Sequence, residues 1–387
     1  MKNGWKTRTL GDVLEVQNGY AFDSKLFNSS KGMPLVRIRS LKAGAETETR
    51  FSGVYDKKYL VKAGDLLIGM DGEFGCYEWK GAPALLNQRV CRLQGFASDI
   101  LPRFLYYGVN SHLKAIEDVT GYATVKHLSS KQILSINFPS PPLPEQHRII
   151  NILDAAFEGI ATAKANAAKN LQNARALFDS HLQSVFTSRG KGWVDQTLDQ
   201  VCIVERGSSP RPIKNYFTTK PDGVNWIKIG DTEEGGKYVY STAQKITPEG
   251  AKQSRFVKEG DFILTNSMSF GRPYIMKTSG YIHDGWFVLR LNISIDADYL
   301  YYLLSSRFVQ DQFARLASGS VVKNISGDLV KQVVLPIPPL EHQHVIVKKL
   351  LEISTETQHL ANLCERKLIA LDALKESLLQ QSFTGNL

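Results

Sequence analysis

The sequence predicts an α+β protein with a pseudo-two-fold internal repeat, in which two mixed α/β globular modules are separated by a long antiparallel two-helix coiled coil. Three observations predict this architecture. The tract PPLPEQHRIINIL at 141–153 returns as PPLEHQHVIVKKL at 338–350. Each copy opens a long stretch whose apolar residues recur with helical periodicity. Short alternating apolar runs, typical of strands, occupy the remainder of each half.

The two halves agree at their ends and differ in between. The spacing between the copies is constant from Lys126 and Lys323 to the ends of the helical stretches. The starts also match, because GWKTRTLGDVLEVQNG at 4–19 recurs as GWVDQTLDQVCIVERG at 192–207. Self-similarity over such distances indicates a duplicated structural unit. The sequence therefore predicts one structural framework that is repeated, with a different central segment in each copy.

The repeat divides the chain into two modules, each followed by a spacer helix. The predicted segments are a first module at 1–144, a first spacer helix at 145–187, a second module at 188–340 and a second spacer helix at 341–387. Pro144 suits a helix start, where its missing N–H costs nothing. Apolar side chains from Ile149 and from Ile346 follow the spacing of a coiled-coil seam, and each helix would be on the order of 60 Å long. Two unrelated core helices are the alternative, which their equal length disfavours.

Strands and short helices are both predicted inside the modules. Alternating or continuous apolar runs predict strands at 34–41, 65–69, 225–231 and 286–291. Amphipathic periodicity predicts helices at 103–119 and 298–317.

The charge distribution points to a polyanionic partner. The formal net charge is +9 over 387 residues, and the positive excess lies in the modules rather than in the helices. This suits two modules that face nucleic acid, although a basic surface that only maintains solubility is the alternative. The four cysteines show no CxxC spacing, which disfavours disulfides and zinc and fits a reducing cytoplasm. No apolar run approaches the ~18 residues of a membrane span, and no signal-peptide pattern opens the chain.

The sequence lacks recognisable motifs for catalysis, nucleotide binding or metal binding. The tracts SPPL at 140–143 and PIPPL at 336–340 lack the aromatic residue with which an adenine methylase stacks a flipped base. No glycine-rich nucleotide pattern occurs. His342 and His344 alternate like metal ligands, but the proline before them indicates a helix start instead. We therefore predict no catalytic residue and no metal ligand, with a lone nucleophile left open.

Duplicated basic modules without such motifs favour a protein that recognises nucleic acid sequence. Arg, Lys, Asn and Gln at loop tips contact base edges, and Lys and Ser contact phosphates. Lys126 and Lys323 recur in the repeat and are the first candidates for phosphate contacts. The candidates in the first module are Tyr20, Lys25, Arg37, Arg39, Asn87, Gln88, Arg89, Tyr122, Thr124, Lys126 and His127. Those in the second are Arg206, Ser208, Ser209, Arg211, Lys214, Asn266, Ser267, Arg272, Ser320, Lys323 and Asn324. Solvated loops without a ligand are the alternative for each residue.

The two borders between module and helix resemble those of a known family. The tract TGYATVKHLSSKQILSINFPSPPLPEQHRIINIL at 120–153 resembles the border between recognition domain and helix in the DNA-specificity subunit of Type I restriction–modification systems. The second border, at 318–350, is similar but has His342 where the first has Glu145. The resemblance covers essentially the whole chain, and its order, duplication and spacing all agree.

The resemblance implies a non-catalytic subunit with two target-recognition domains, each reading one half of a bipartite asymmetric site in double-stranded DNA. The helices would set the spacing and dock two methyltransferase subunits that use S-adenosylmethionine. Restriction motor–nuclease subunits using ATP and magnesium would join, so this chain would bind no cofactor itself, in a prokaryotic cytoplasm. The residues that this interpretation assigns to partner binding are Gln146, Ile149, Leu153, Gln343, Ile346 and Leu350.

An enzyme is the alternative. The chain would then be an atypical self-contained DNA methyltransferase or restriction enzyme, or the recognition half of one. Methyl transfer by the chain alone would distinguish this alternative from a specificity subunit.

Overall fold

The chain folds into two compact units. The computed structural model describes residues 4–119, 126–233, 235–266, 271–317 and 326–387. Unit 1 comprises Met1–Ala167 with Arg366–Leu387, and unit 2 comprises Ala168–Glu365. Among the described residues, no helix combines the length and the apolar character needed to cross a membrane.

The first half of the chain contains eleven strands and four helices among its described residues. In chain order they are β1 (Lys6–Thr9), β2 (Glu15–Asn18), β3 (Phe27–Asn28), β4 (Met33–Val36), α1 (Ile38–Leu41), β5 (Arg50–Phe51), β6 (Leu60–Val61), β7 (Leu66–Gly69), β8 (Gly75–Glu78), β9 (Ala84–Leu86), β10 (Val90–Gln94), α2 (Pro102–Val119), α3 (Ser130–Leu134), β11 (Asn137–Ser140) and α4 (Leu143–Thr187).

The second half follows the same plan. In chain order its elements are β12 (Val194–Thr197), α5 (Leu198–Val201), β13 (Cys202–Arg206), β14 (Phe217–Thr218), β15 (Val224–Ile227), β16 (Tyr238–Val239), β17 (Gln244–Ile246), α6 (Pro248–Ala251), β18 (Arg255–Val257), β19 (Phe262–Thr265), β20 (Pro273–Met276), β21 (Gly280–Ile282), β22 (Trp286–Leu291), α7 (Ala297–Ser305), α8 (Arg307–Ala317), α9 (Gly327–Lys331), β23 (Val334–Ile337) and α10 (Leu340–Thr384).

The sheets of the two units have matching topology. Unit 1 has a sheet of order β2-β10-β7-β8 and a second of order β3-β5-β4-β9-β6. Unit 2 repeats them as β13-β22-β19-β20-β16 and β14-β17-β15-β21-β18, with one added edge strand. The pairs β4–β9 and β15–β21 are parallel, whereas most other pairs are antiparallel. The central strands β7 and β19 are buried at every position, which explains why LLIG and FILT are continuous apolar runs.

The predicted elements are largely confirmed, with three corrections. The runs at 65–69 and 286–291 are strands, and 103–119 is a helix. The strand prediction is wrong for the second part of 34–41, because Ser40 Oγ accepts a hydrogen bond from the Arg37 N–H at 2.9 Å and starts α1. Asp231 likewise ends the strand predicted at 225–231. The helix predicted at 298–317 is two helices, since Ser306 is extended between α7 and α8.

The two long helices run antiparallel, as the sequence predicts. In unit 1, the Arg148 guanidinium donates to the Leu387 carbonyl at 2.8 Å, and Lys164 pairs with Asp372 at 2.5 Å. In unit 2, Arg175 of α4 pairs with Glu365 of α10 at 3.0 Å. In unit 1, residue numbers therefore rise along α4 as they fall along α10. The division of the chain into four functional segments stays a prediction.

Each long helix ends in an aromatic side chain that completes the core of one unit. Phe383 of α10 packs in unit 1 against Phe104 and Phe138, with ring centroids 4.9 and 5.8 Å apart. Its repeat counterpart Phe186 of α4 is fully buried in unit 2 and packs edge-on against Tyr299 at 5.6 Å. The recurrence of phenylalanine at the helix ends is thus explained by core packing.

Candidate nucleic-acid interface

Unit 1 carries an open basic cavity of about 400 Å³ at one sheet edge. The parallel strands β4 and β9 end side by side there, in the register Val36 with Leu86. The residues that follow each strand are therefore neighbours despite their distance in sequence. They line the cavity as Arg37, Ile38, Arg39, Asn87, Gln88 and Arg89. Five of the eleven sequence candidates in this module are brought together in this way.

The turn between β9 and β10 presents these side chains from a tightly held backbone. Gly19 is required beneath it, because a Cβ there would lie 2.0 Å from the Asn87 carbonyl oxygen. Asn87 is only 5% exposed, and its Oδ1 is buried without a hydrogen-bond partner among the described residues. Arg89 has a φ of 71°, in the left-handed region that non-glycine residues rarely adopt. Tyr20 lies alongside, since its carbonyl accepts from the Gln88 N–H at 2.8 Å.

Two acidic residues organise the basic side chains next to the cavity. The Asp71 carboxylate accepts from Arg89 at 3.3 Å and lies 2.6 Å from His127 Nδ1. The buried Glu117 pairs with Lys126 at 3.3 Å and accepts from the Phe74 N–H at 3.2 Å. Burial raises the pKa of Glu117, but these hydrogen bonds outweigh it and hold the pKa below its ordinary value. Lys126 is therefore already ion-paired, and its phosphate contact stays a prediction.

Aromatic rings border the same region. Tyr20 is half exposed, and its ring lies 5.1 Å from those of Phe22 and Tyr59 between centroids. These rings face a second open cavity of about 480 Å³ that also contains Lys58. Lys25 is exposed on a separate 3₁₀ turn and does not line either cavity.

Unit 2 repeats the strand edge with different side chains. The parallel pair β15–β21 places Lys228 beside the turn that contains His283 and Asp284. A Cβ at Gly207 would lie 2.1 Å from the His283 carbonyl oxygen, which repeats the close approach at Gly19. The matching backbone therefore presents a different set of functional groups in each unit.

Asp284 collects several of the candidates predicted in the second module. Its carboxylate accepts from Ser209 Oγ at 2.8 Å and from Arg211 at 2.9 Å. Its backbone carbonyl accepts from Arg206 Nε at 3.2 Å. Burial raises the pKa of Asp284, but the Ser209 hydrogen bond and neighbouring positive charges outweigh it and lower that pKa. The carboxylate is therefore held ionised at the centre of a polar cluster.

The remaining candidates have separate surroundings. Ser208 Oγ donates to the Gln253 carbonyl at 2.9 Å, and Lys214 is exposed on a 3₁₀ turn. Asn266 is buried beside the Asp284 turn, and the Arg272 N–H donates to Thr265 Oγ1 at 3.0 Å. Six candidates lie outside the described residues, namely Tyr122, Thr124, Ser267, Ser320, Lys323 and Asn324.

Sequence reasoning missed the acidic residues and Lys228. A search for polyanion ligands selects basic and amide side chains, so Asp71 and Asp284 were not among its candidates. The available signal was the repeat itself, because the turn NQRV at 87–90 matches HDGW at 283–286 in its place after the parallel strand.

Comparison with known proteins decides the family. The family model for the Type I restriction modification DNA specificity domain matches residues 2–170 and again residues 190–364. The chain belongs to this family. Its role is therefore DNA sequence specificity in a Type I restriction–modification system, as the resemblance in the sequence implied.

Individual relatives of this specificity-domain family extend over nearly the whole chain. The EcoBI specificity subunit of Escherichia coli is 28% identical, with 100% of this chain and 86% of the relative covered. The MjaVIII specificity subunit of Methanocaldococcus jannaschii is 21% identical, with 99% and 93% covered. The HsdS subunit from Thermoanaerobacter tengcongensis has a TM-score of 0.63 at 20% identity, with 100% and 98% covered. A chain from work on type I R-M complex assembly and conformational transition has a TM-score of 0.78 at 20% identity, with 100% and 99% covered. These structures share the fold.

The structure gives the residues predicted for partner binding an internal role. All six lie at the start of α4 or α10, and the four apolar ones pack into the core of their own unit. Gln146 and Gln343 are buried, and their side-chain amides bond to the backbone of the same unit. The repeated PPL-x-x-Q pattern is thus explained by attachment of each module to its helix. Direct partner contact stays a prediction for these six residues: Gln146, Ile149, Leu153, Gln343, Ile346 and Leu350.

Proposed function

We propose that each unit of this specificity subunit recognises one half of a bipartite asymmetric site in double-stranded DNA. The observation that carries the proposal is the repeated strand edge. One backbone arrangement presents Gln88 and Arg89 in unit 1 but Asp284 and Gly285 in unit 2. Arginine pairs with guanine, glutamine with adenine, and aspartate accepts from cytosine in the major groove. Equal frameworks with unequal side chains therefore favour two different half-sites.

The long helices supply the second part of the proposal. In this proposal the long helices set the spacing between the two half-sites and offer docking surface for two methyltransferase subunits. Apolar side chains of α10 support this docking, because Val345 in unit 2 is 69% exposed and Ile369 in unit 1 is 70% exposed. Exposed apolar side chains of this kind are typical of surfaces that a partner covers.

In this proposal the chain itself is non-catalytic and binds no cofactor. S-adenosylmethionine belongs to the methyltransferase subunits, and ATP and magnesium belong to the restriction motor–nuclease subunits. The absence of catalytic motifs from the sequence supports this division of roles.

Methylome sequencing tests the function directly. A host expressing the neighbouring methyltransferase with this chain should gain a split adenine-methylated motif that is absent without the chain. Exchanging residues 188–340 for those of another family member should change one half of the motif only. Methyl transfer to DNA by the purified chain with S-adenosylmethionine alone would overturn the non-catalytic assignment and favour an enzyme.

A further inference from the structure

Arg89 is the third residue of the turn that the Val90 N–H closes on the Asn87 carbonyl at 3.2 Å, a position whose positive φ favours glycine. It is the one non-glycine residue with positive φ among the described residues. Conformations of this kind cost free energy and cluster at binding and catalytic sites. The side chain contributes little to the core, since 55% of it is exposed. An arginine at this position is therefore suited to contact a ligand.

The Arg89 side chain is held in place before any ligand arrives. Its Nη1 donates to the Asp71 carboxylate at 3.3 Å, and the same carboxylate accepts from His127 Nδ1 at 2.6 Å. Asp71 is itself fixed, because its backbone bridges to His127 and the Gly72 N–H donates to the Lys126 carbonyl at 3.2 Å. One corner of the guanidinium is thus anchored, and the exposed remainder is available to a ligand.

We propose that Arg89, positioned by Asp71, recognises a guanine in the half-site bound by unit 1, an assignment that rests on the proposed function. The guanidinium fork matches the O6 and N7 acceptors of guanine, whereas adenine presents an amino donor in place of O6. Asp71 also disfavours a phosphate at this tip by repulsion. Arg37 and Arg39 have no ion-pair partner among the described residues, so they are the phosphate ligands of the same cavity.

The buried amide of Asn87 is a second, independent indication of a ligand at this cavity. Its Oδ1 is buried and accepts no hydrogen bond from the described residues, and the residue as a whole is only 5% exposed. A buried acceptor without a donor marks a site that a ligand or its bound water completes. A G·C pair supplies both groups, because guanine offers two acceptors and cytosine offers its N4 amino donor.

Unit 2 lacks this arginine, so guanine recognition by this turn is confined to the half-site bound by unit 1. Gly285 occupies the place of Arg89 in the matching turn. The preceding Asp284 has both carboxylate oxygens engaged, one by Ser209 and one by Arg211. The half-site of unit 2 therefore does not contain a guanine read from this turn.

The experiment is a methylome comparison of the full chain and its variants, each co-expressed with the methyltransferase partner. The principal variant is Arg89→Gly, because glycine adopts positive φ freely and keeps the turn intact. We expect one G·C pair of the unit 1 half-site to become degenerate, with its discrimination reduced about 5- to 150-fold, while the other half is unchanged. Asp71→Asn should relax the same position to a smaller extent.

Arg39→Ala is the matched control for a phosphate ligand in the same cavity. It should lower methylation evenly across all sites without changing the motif. It should also reduce the slope of the logarithm of DNA affinity against the logarithm of salt concentration by about one, because one phosphate contact is lost. An unchanged motif with Arg89→Gly, or a wild-type unit 1 half-site without guanine, would overturn the assignment of Arg89. A wild-type chain that directs no split motif would instead overturn the proposed function, so the two failures are distinguishable. If Arg89→Gly abolishes methylation, binding to oligonucleotides with each base at that position decides the matter, because a loss equal for all four bases refutes guanine recognition.

Discussion

Replacing Gln146 by methionine tests how the first module is attached to its helix. The fully buried side chain makes three hydrogen bonds to the backbone of unit 1. Its Oε1 accepts from the Leu101 N–H at 2.8 Å, and its Nε2 donates to the carbonyls of Asp99 and Pro141, each at 2.8 Å. Methionine has similar length but cannot form these bonds. Gln146→Met therefore leaves three backbone groups at the module–helix junction without their partner.

The number of hydrogen bonds sets the expected loss of stability, both for Gln146→Met and for the matching variant in unit 2. At about 1 kcal/mol for each lost bond, Gln146→Met should destabilise unit 1 by about 3 kcal/mol. Gln343 makes two such bonds, from the Asp296 N–H at 2.8 Å and to the Pro338 carbonyl at 2.9 Å. Gln343→Met should therefore destabilise unit 2 by about 2 kcal/mol. Each variant should leave the other unit close to wild type.

Hydrogen exchange followed by mass spectrometry resolves the two units by their peptides. A loss of 3 kcal/mol corresponds to roughly 150-fold faster exchange in the protected strands of unit 1. Gln380→Met is the control, because Gln380 is exposed on α10 and should change stability by less than about 0.5 kcal/mol. Exchange in Gln146→Met that matches this control would refute the assigned role of the buried amide.

Three further predictions concern unit 1. Gly108→Ala should destabilise it by about 1 to 3 kcal/mol in chemical unfolding, because a Cβ there would lie 2.4 Å from the Phe383 ring, and a smaller effect would show that the ring moves freely. Arg92→Met should lower the stability of unit 1 by roughly 2 to 4 kcal/mol. The reason is that the Asp65 carboxylate, which lies 3.1 Å from the largely buried Arg92 guanidinium, loses its counter-charge. Unchanged hydrogen exchange in unit 1 would contradict this prediction. Burial lowers the pKa of His112 below 6.5, so the folded state favours the neutral imidazole. The contribution of His112 to the free energy of unfolding is therefore complete above pH 6.5 and is lost as the pH falls through the folded pKa. His112→Gln should therefore flatten the acid-side loss of stability, and an identical pH slope in both proteins would exclude His112 as its source.

Much of the fold follows from local patterns in the sequence. The long helices, the strands at 65–69 and 286–291 and the antiparallel pairing of α4 with α10 were all predicted correctly. The errors arose where one polar side chain overrides the pattern. Ser40 and Asp231 each cap a turn directly after a strand, and this short-range hydrogen bond outweighs the alternation of apolar residues.

The sequence by itself determined the duplication, the basic character of both modules and the residue types available at their loops, because periodicity and composition are properties of the linear chain. Only the tertiary structure decided which of those residues share a cavity. Parallel strands bring Arg37 beside Arg89, and a distant loop brings Asp71 to the same guanidinium. Such neighbours depend on strand pairing between segments far apart in sequence, which no local pattern encodes. The buried Gln146 shows the same limit, since its role is set by the backbone that surrounds it rather than by its own motif.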